Sequence, residues 1–204
     1  MDSVSGVGVL DKAVAILDAL EPRALSLVEL VEATGLSRAT AHRLAFALEM
    51  HGFVERDGDG RFALGERMAS RSLVTAARPI LEALRGKTGE SVQLYVPRGD
   101  VRVCVLSLES PHGLRTIVPV GAVLPMDRGS AAKIFKVGAR NLAQSVEERE
   151  KGVASVSAAV HDEEQRHIAA VSVSGPVERT TREPEKRYGK AVLAAAQQLE
   201  RALR

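Results

Sequence analysis

Between Ser26 and Gly52 the chain reads SLVELVEATGLSRATAHRLAFALEMHG, and its apolar spacing demands two short helices meeting at a tight turn. Ser26 and Glu29 occupy the two positions of a capping box, where hydroxyl and carboxylate satisfy backbone donors at a helix start. Leu27, Leu30 and Val31 then share one helical face. Thr34-Gly35-Leu36 breaks the period, and Gly35 suits the left-handed backbone that ends many helices. Ser37 caps a second helix, with Ala41, Leu44, Ala45 and Leu48 on one side and Arg38, Ala39, His42, Arg43 and Phe46 on the other. Gly52 stops it. A helix, a glycine-bearing turn and a second helix with a basic first half form the helix-turn-helix pattern, whose second helix enters a DNA major groove.

The next segment sharpens this. FVERDGDGRFAL (53–64) places Asp-Gly repeats between two alternating segments, a strong hairpin signal. A hairpin directly after a recognition helix is a wing, able to lay Arg56 or Arg61 along phosphates. The candidate DNA-binding residues are therefore Ser37, Arg38, Thr40, His42 and Arg43 on the helix and Arg56 and Arg61 on the wing. The plainer alternative is an ordinary helical hairpin with solvated arginines; the adjoining wing weighs against it. Charge does not help, because residues 1–70 hold seven Lys/Arg against eleven Asp/Glu, a net of −4, which leaves +6 on residues 71–204. Any attraction to DNA must then be local.

Upstream, residues 9–20 form an amphipathic helix with Val9, Ala13, Ile16, Leu17 and Leu20 inward, completing a three-helix core. Residues 66–85 are helical in pattern and connect two domains, with Pro79 suited to the first turn of a helix of its own. Both apolar helices exceed what one small winged domain needs, so a subunit interface is expected there. From Ser91 the period changes to two. SVQLYV and VRVCVLSL form a hairpin around Arg98-Gly99-Asp100, and LRTIVPV (114–120) reads as a third strand. Gly129 and Ser130 open a short helix to about Val137, and residues 152–160 and 167–175 form a second hairpin. Pro184 to Leu203 closes the chain as an amphipathic helix with Val192, Leu193, Ala196 and Leu199 inward. Hairpins framed by helices imply an α+β domain with its helices on one sheet face.

The chemistry expected is binding. A chain of 204 residues, 45% hydrophobic, can bury a core in one large or two small domains. Its single cysteine excludes an intramolecular disulfide framework and a multi-thiolate zinc site, as suits a reducing cytosol. Cys104, in an apolar strand, reads as a small buried hydrophobe. No apolar run approaches the roughly 20 residues of a membrane helix, and no signal peptide is evident, so a cytoplasmic protein is expected. His42, His51, His112, His161 and His167 have no carboxylate or nucleophile at a recognisable spacing, and no metal motif or phosphate loop appears. Neither catalysis nor a cofactor nor a metal is expected. The small polar residues are more informative: Ser155 and Ser157 alternate in VASVSAAV, and Ser172 and Ser174 in AVSVSG, so each pair shares a sheet face. They are either cross-strand hydrogen-bonding partners or the hydroxyls of a pocket. Ser130, at a helix start able to receive a carboxylate, favours the pocket.

The blocks VLDKAVAILDAL, LSLVELVEATGLSRATAHRLAFALEMHGFVERDGDGRFALG, LPMDRGSAAKIF and AAVSVSGPVERTTREP resemble an IclR-type transcriptional regulator, in the family's order across both halves of the chain. Within that family the likeness is to regulators tied to amino-acid biosynthesis, leucine in particular. The resemblance implies a winged helix-turn-helix at 1–65, a connector helix at 66–85 and a GAF-like effector-binding domain at 86–204. It further implies an effector pocket lined by Leu124, Met126, Ser130, Ala131, Ser145, Ser155, Ser172 and Ser174. The expected protein is a transcriptional regulator, a repressor, that binds an operator in double-stranded DNA. It would respond to a small carboxylate or amino acid and act as a homodimer or dimer of dimers, away from any membrane. A sensor whose winged helix binds protein is the alternative. KVGARN (136–141) and residues 68–75 are shorter than the family's segments, which is expected to mean chain missing from the numbering rather than a compact variant.

Overall fold

Two bodies divide the chain between Ser72 and Leu73, each with its own apolar core. The computed structural model describes residues 5–136 and 138–203. In the first body α1 (Gly8–Leu20), α2 (Leu27–Thr34) and α3 (Arg38–Met50) enclose Ile16, Leu20, Leu30, Leu36, Ala41 and Ala45. The alanines are wholly buried, and side chains that small let α3 pack closely on its neighbours. The capping box forms in full: the Ser26 N–H donates to Glu29 Oε2 (2.8 Å) and the Glu29 N–H to Ser26 Oγ (3.3 Å). Gly35 ends α2 at φ +65°. The wing is β1 (Val54–Arg56) paired antiparallel with β2 (Phe62–Leu64), and a bridge from Leu25 to Phe62 fastens it to the chain just before α2.

One inward residue is misplaced by the helical pattern. Val9 is 62% exposed, as are Val7, Leu10 and Val14 to lesser degrees, because the small core ends before it reaches the first turn of α1. Pro79 also behaves differently from expectation. It lies inside one helix, α4 (Glu66–Thr88). Ala77, Ile80, Leu81 and Leu84 bury on either side of the proline, and such packing overrides local propensity.

The second body is built on a six-stranded antiparallel sheet in the order β5-β4-β3-β8-β7-β6. The strands are β3 (Ser91–Arg98), β4 (Val101–Leu108), β5 (Val123–Pro125), β6 (Leu142–Val146), β7 (Val153–His161) and β8 (His167–Pro176). The two expected hairpins, β3–β4 and β7–β8, join through β3 and β8 at the centre. Val92, Leu94, Val156, Ala158, Val171 and Val173 cluster with α4 and with α7 (Pro184–Ala202), whose Val192, Ala196 and Leu199 are buried there. The alternate residues lie on the other face. Tyr95, Cys104, Ala159 and Ala170 cluster there with Ala131 and Ile134 of α5 (Ser130–Ile134). The helices are thus not confined to one face: the long ones take one side and the short one the other.

Residues 114–120 form no strand. Pro119 has no N–H to give a ladder, and β5 takes the place beside β4 instead. β6 and the turn of helix α6 (Val177–Thr180) were not foreseen. Val137, where α5 was expected to end, lies outside the described residues; α5 stops at Ile134. The Ala139 N–H donates to the Lys136 carbonyl, and the chain enters β6 directly at Leu142. Among the described residues no helix is long and apolar enough to cross a membrane.

The capping box has an acid signature. The Ser26 backbone hydrogen bond, aided by Arg23, holds the Glu29 carboxyl down at about 2 from an ordinary 4.5. Stability gained from a depressed carboxyl is full above its unfolded value and is lost as pH falls through the folded one. Thermal melts of the parent should therefore lose stability as pH drops from about 4.5 to about 2, and Glu29→Gln should flatten part of that slope.

Candidate functional site

The outer face of α3 is the first candidate. Ser37 Oγ accepts from the Thr40 N–H (3.3 Å) and hydrogen-bonds Thr40 Oγ1 (2.9 Å), so both residues shape the helix start. Arg38, His42 and Arg43 are exposed on the side away from Ala41 and Ala45. The wing arginines differ from expectation, since each already holds a carboxylate. Arg56 Nε meets Glu49 Oε2 at 3.2 Å, and its guanidinium lies 4.5 Å from the Phe62 ring centre. Arg61 Nη2 meets Glu29 Oε2 at 3.1 Å and donates to the Ala24 carbonyl. The wing folds back toward α2 and α3, whose acids are therefore within reach. Among the described residues, Arg38 and Arg43 of α3 form no ion pair, in contrast to the wing arginines.

The second candidate lies in the other body, on the sheet face that carries α5. Strand register sets Ser91, Ser174, Ser155 and Ser145 in one row across β3, β8, β7 and β6, with Gln93, Ser172 and Ser157 in the next. Ser130 Oγ, at the start of α5, hydrogen-bonds both Ser155 Oγ (2.7 Å) and Ser157 Oγ (2.8 Å). Ser157 donates to Ser172 Oγ (3.0 Å), and Ser174 donates to Gln93 Oε1 (3.0 Å). Cross-strand pairing and a pocket thus coexist. Ser130, Ser145, Ser155, Ser172 and Ser174 line a small cavity of about 30 Å³, while Ser157, wholly buried, braces them from behind.

Tyr95, Arg102, Arg149 and Val153 also line this cavity and were not foreseen. Arg102, on β4, is 2% exposed. It donates to the Pro125 carbonyl, its guanidinium lies 5.6 Å from the Tyr95 ring centre, and its buried Nε has no hydrogen-bond partner. Burial lowers its affinity for a proton, as does the nearby Arg149. Arg149, half-buried, also lines the cavity beside Tyr95, whose hydroxyl burial raises well above its ordinary value. The turn that carries Arg149 is strapped down on both sides. Glu147 binds the Gly152 N–H and Arg182, and Glu148 binds the Gly129 N–H and Lys133. No local signal marks Arg102 or Arg149, since each reads as an ordinary solvated charge.

Several expectations need correction. Leu124 pairs with Arg102 in the ladder but packs against the apolar cluster rather than lining the cavity. Met126 lines a different groove, with Phe135, Lys136 and His167. Only Ala131 among the apolar candidates joins the serines. The start of α5 is no open carboxylate site, because the helix has five residues and Glu148 already takes the Gly129 N–H. His161 does have a carboxylate: Glu200 of α7, remote in sequence, meets Nδ1 at 2.6 Å. Cys104 is buried, and that burial pushes its thiol up to about 11, which keeps it inert.

Comparison with known proteins agrees with this architecture. The model for the IclR helix-turn-helix domain matches residues 9–58, and that for the bacterial transcriptional regulator IclR C-terminal region matches 66–141 and 136–201. The chain is 26% identical to the transcriptional repressor IclR of Escherichia coli, covering 86% of this chain and 81% of that protein. It is 27% identical to the glycerol operon regulatory protein of Streptomyces coelicolor, covering 87% and 88%. An IclR-family regulator from Rhodococcus sp. superimposes with a TM-score of 0.61 at 26% identity, over 98% of this chain and 96% of that one. An IclR homologue from Microbacterium hydrocarbonoxydans, solved with 4-hydroxybenzoate, shares the fold at 17% identity and a TM-score of 0.56, over 96% and 98%.

Gly129 is where the cavity wall is least tolerant. Its φ of +95° with ψ 158° is a conformation essentially restricted to glycine, and an added Cβ would stand 3.1 Å from Arg102 Nη2. Gly129→Ala should cost about 1–3 kcal/mol in denaturant-induced unfolding of the second body.

Proposed function

The chain belongs to the IclR family of DNA-binding transcriptional regulators, and on that premise we propose a ligand-responsive regulator whose effector is a small carboxylate. In this reading residues 1–65 read an operator, 66–85 connect, and 86–204 sense the effector. The protein works in the cytoplasm as a homodimer or dimer of dimers, since one helix-turn-helix reads only a half-site. It performs no catalysis. The exposed apolar residues Val7, Val9, Leu10 and Val14 on and beside α1 support a subunit contact there. None of the relatives described above is tied to amino-acid biosynthesis, so the link to leucine rests on sequence blocks alone.

The observation that carries the effector assignment is Arg102. A guanidinium almost wholly out of water, with a buried N–H lacking any acceptor, is costly unless an anion completes it. A carboxylate supplies paired acceptors of the right geometry. Hydrogen bonds to a charged group are worth roughly 1.5–3 kcal/mol each, enough to bias one arrangement of the protein over another. The acidic balance of residues 1–70 is the one feature that favours a protein partner for the winged helix instead.

Anisotropy titrations with DNA from upstream of its own gene separate these readings. DNA binding should weaken steeply with salt. Arg43→Ala, removing a base-edge contact, should cost about 1–3 kcal/mol in specific binding. A small carboxylate should shift the parent's operator affinity, and Arg102→Gln should abolish that shift while leaving ligand-free affinity intact. DNA binding absent at every salt concentration would point to the protein-binding reading. A parent indifferent to all small carboxylates would sink the effector assignment.

A further inference from the structure

The cavity carries more positive charge than one carboxylate answers. Arg102 forms its buried floor and Arg149 its half-exposed rim. The acids around the mouth are already matched to other cations. Asp127 meets Arg128 at 2.7 Å, Glu147 meets Arg182 at 2.8 Å, and Glu148 is held by Lys133. Among the described residues, no ion pair joins Arg102 or Arg149 to a carboxylate. Two guanidiniums therefore face one partly enclosed space, where Arg149 disfavours the charge of Arg102 and the more distant Asp127 offsets part of that. A single bound carboxylate neutralises one of them and leaves the other.

We propose that the effector is a short dicarboxylate, with one carboxylate against Arg102 on the floor and the second against Arg149 at the mouth. This deepens the effector reading above and rests on it. The dimensions suit such a ligand. About 30 Å³ is room for roughly two waters or one carboxylate group, so the rest of the molecule must lie toward the rim, where Arg149 is. Between the two cations the walls offer Tyr95, Ser130, Ser155 and Ser174. Hydroxyls both donate and accept, so a hydroxyl on the ligand backbone finds partners there, and Ala131, Val153 and the Tyr95 ring leave an apolar wall only for a short carbon backbone. The guanidinium at the rim is the element that selects two charges over one.

Isothermal titration of the full chain, at one fixed ionic strength, compares malonate and malate with acetate, lactate and inorganic phosphate. The diacids should bind at least about tenfold more tightly than the monoacids, since each charge-assisted contact adds separately. Arg149→Gln should reduce that preference to about twofold or less and leave monoacid affinity nearly unchanged, whereas Arg149→Lys, which keeps the charge, should retain most of it. Arg102→Gln should lose both classes; unfolding curves of each variant check that the fold is kept. Equal affinity for monoacids and diacids overturns the proposal, and so does an Arg149→Gln variant that loses both classes alike. Phosphate binding as tightly as malate overturns it too, because a single compact dianion would then suffice. In those three cases the effector reading survives. If no carboxylate binds the parent at millimolar concentration, both fall together.

Discussion

The register of β8 between β3 and β7 decides what this domain can be. Val171 and Val173 face the long helices while Ser172 and Ser174 face the cavity, and both neighbouring strands hold that alternation in place. A slip of one residue would exchange the two sets. Hydroxyls would then stand among Leu81, Val192 and Leu199 without partners, each costing about 1–3 kcal/mol by the measure of protein mutations. The valines would meanwhile occupy the polar row. The serines, the docking of α5 through Ser130 and the brace at Ser157 all follow from that single alignment.

Arg102 is the exception to an otherwise consistent body. Its strand alternates in the ordinary way, and the sheet around it is apolar or hydroxyl-lined, yet a permanent charge sits under β5 with incomplete hydrogen bonding. Natural folds break their own rules mainly where they act. The Tyr95 ring and the Pro125 carbonyl offset part of the desolvation, and the like charge of Arg149 works against them.

What was legible in the sequence was local. The Ser26–Glu29 capping box, Gly35, the Ser37 cap and the Asp-Gly wing each announce themselves within four or five residues, and the structure contains all of them. The paired serines were legible through their period of two. Partners distant along the chain were not. VRVCVLSL looks like a half-exposed strand, so Arg102 passes for an outward charge until β5 covers it. Arg149 hides in a run of alternating charges, and Glu200 reaches His161 only because α7 packs on β7. Composition misled at 114–120, where β-branched residues sit beside a proline that has no N–H to pair. Leu124 and Met126 came from family resemblance rather than from any property of their own, and they are the two pocket candidates that lie elsewhere.

The make-up of the cavity lining also determines what the site ignores. Serines do not titrate, arginine stays charged at every pH a cell experiences, and burial moves Tyr95 further from neutrality. Among the described residues, no histidine or carboxylate lines the space. The lining is therefore electrically constant, and the protonation state of an incoming acid would be the variable. On the effector reading, such a site would register only how much ionised ligand is present, and its own charge would not drift with the acidity around it.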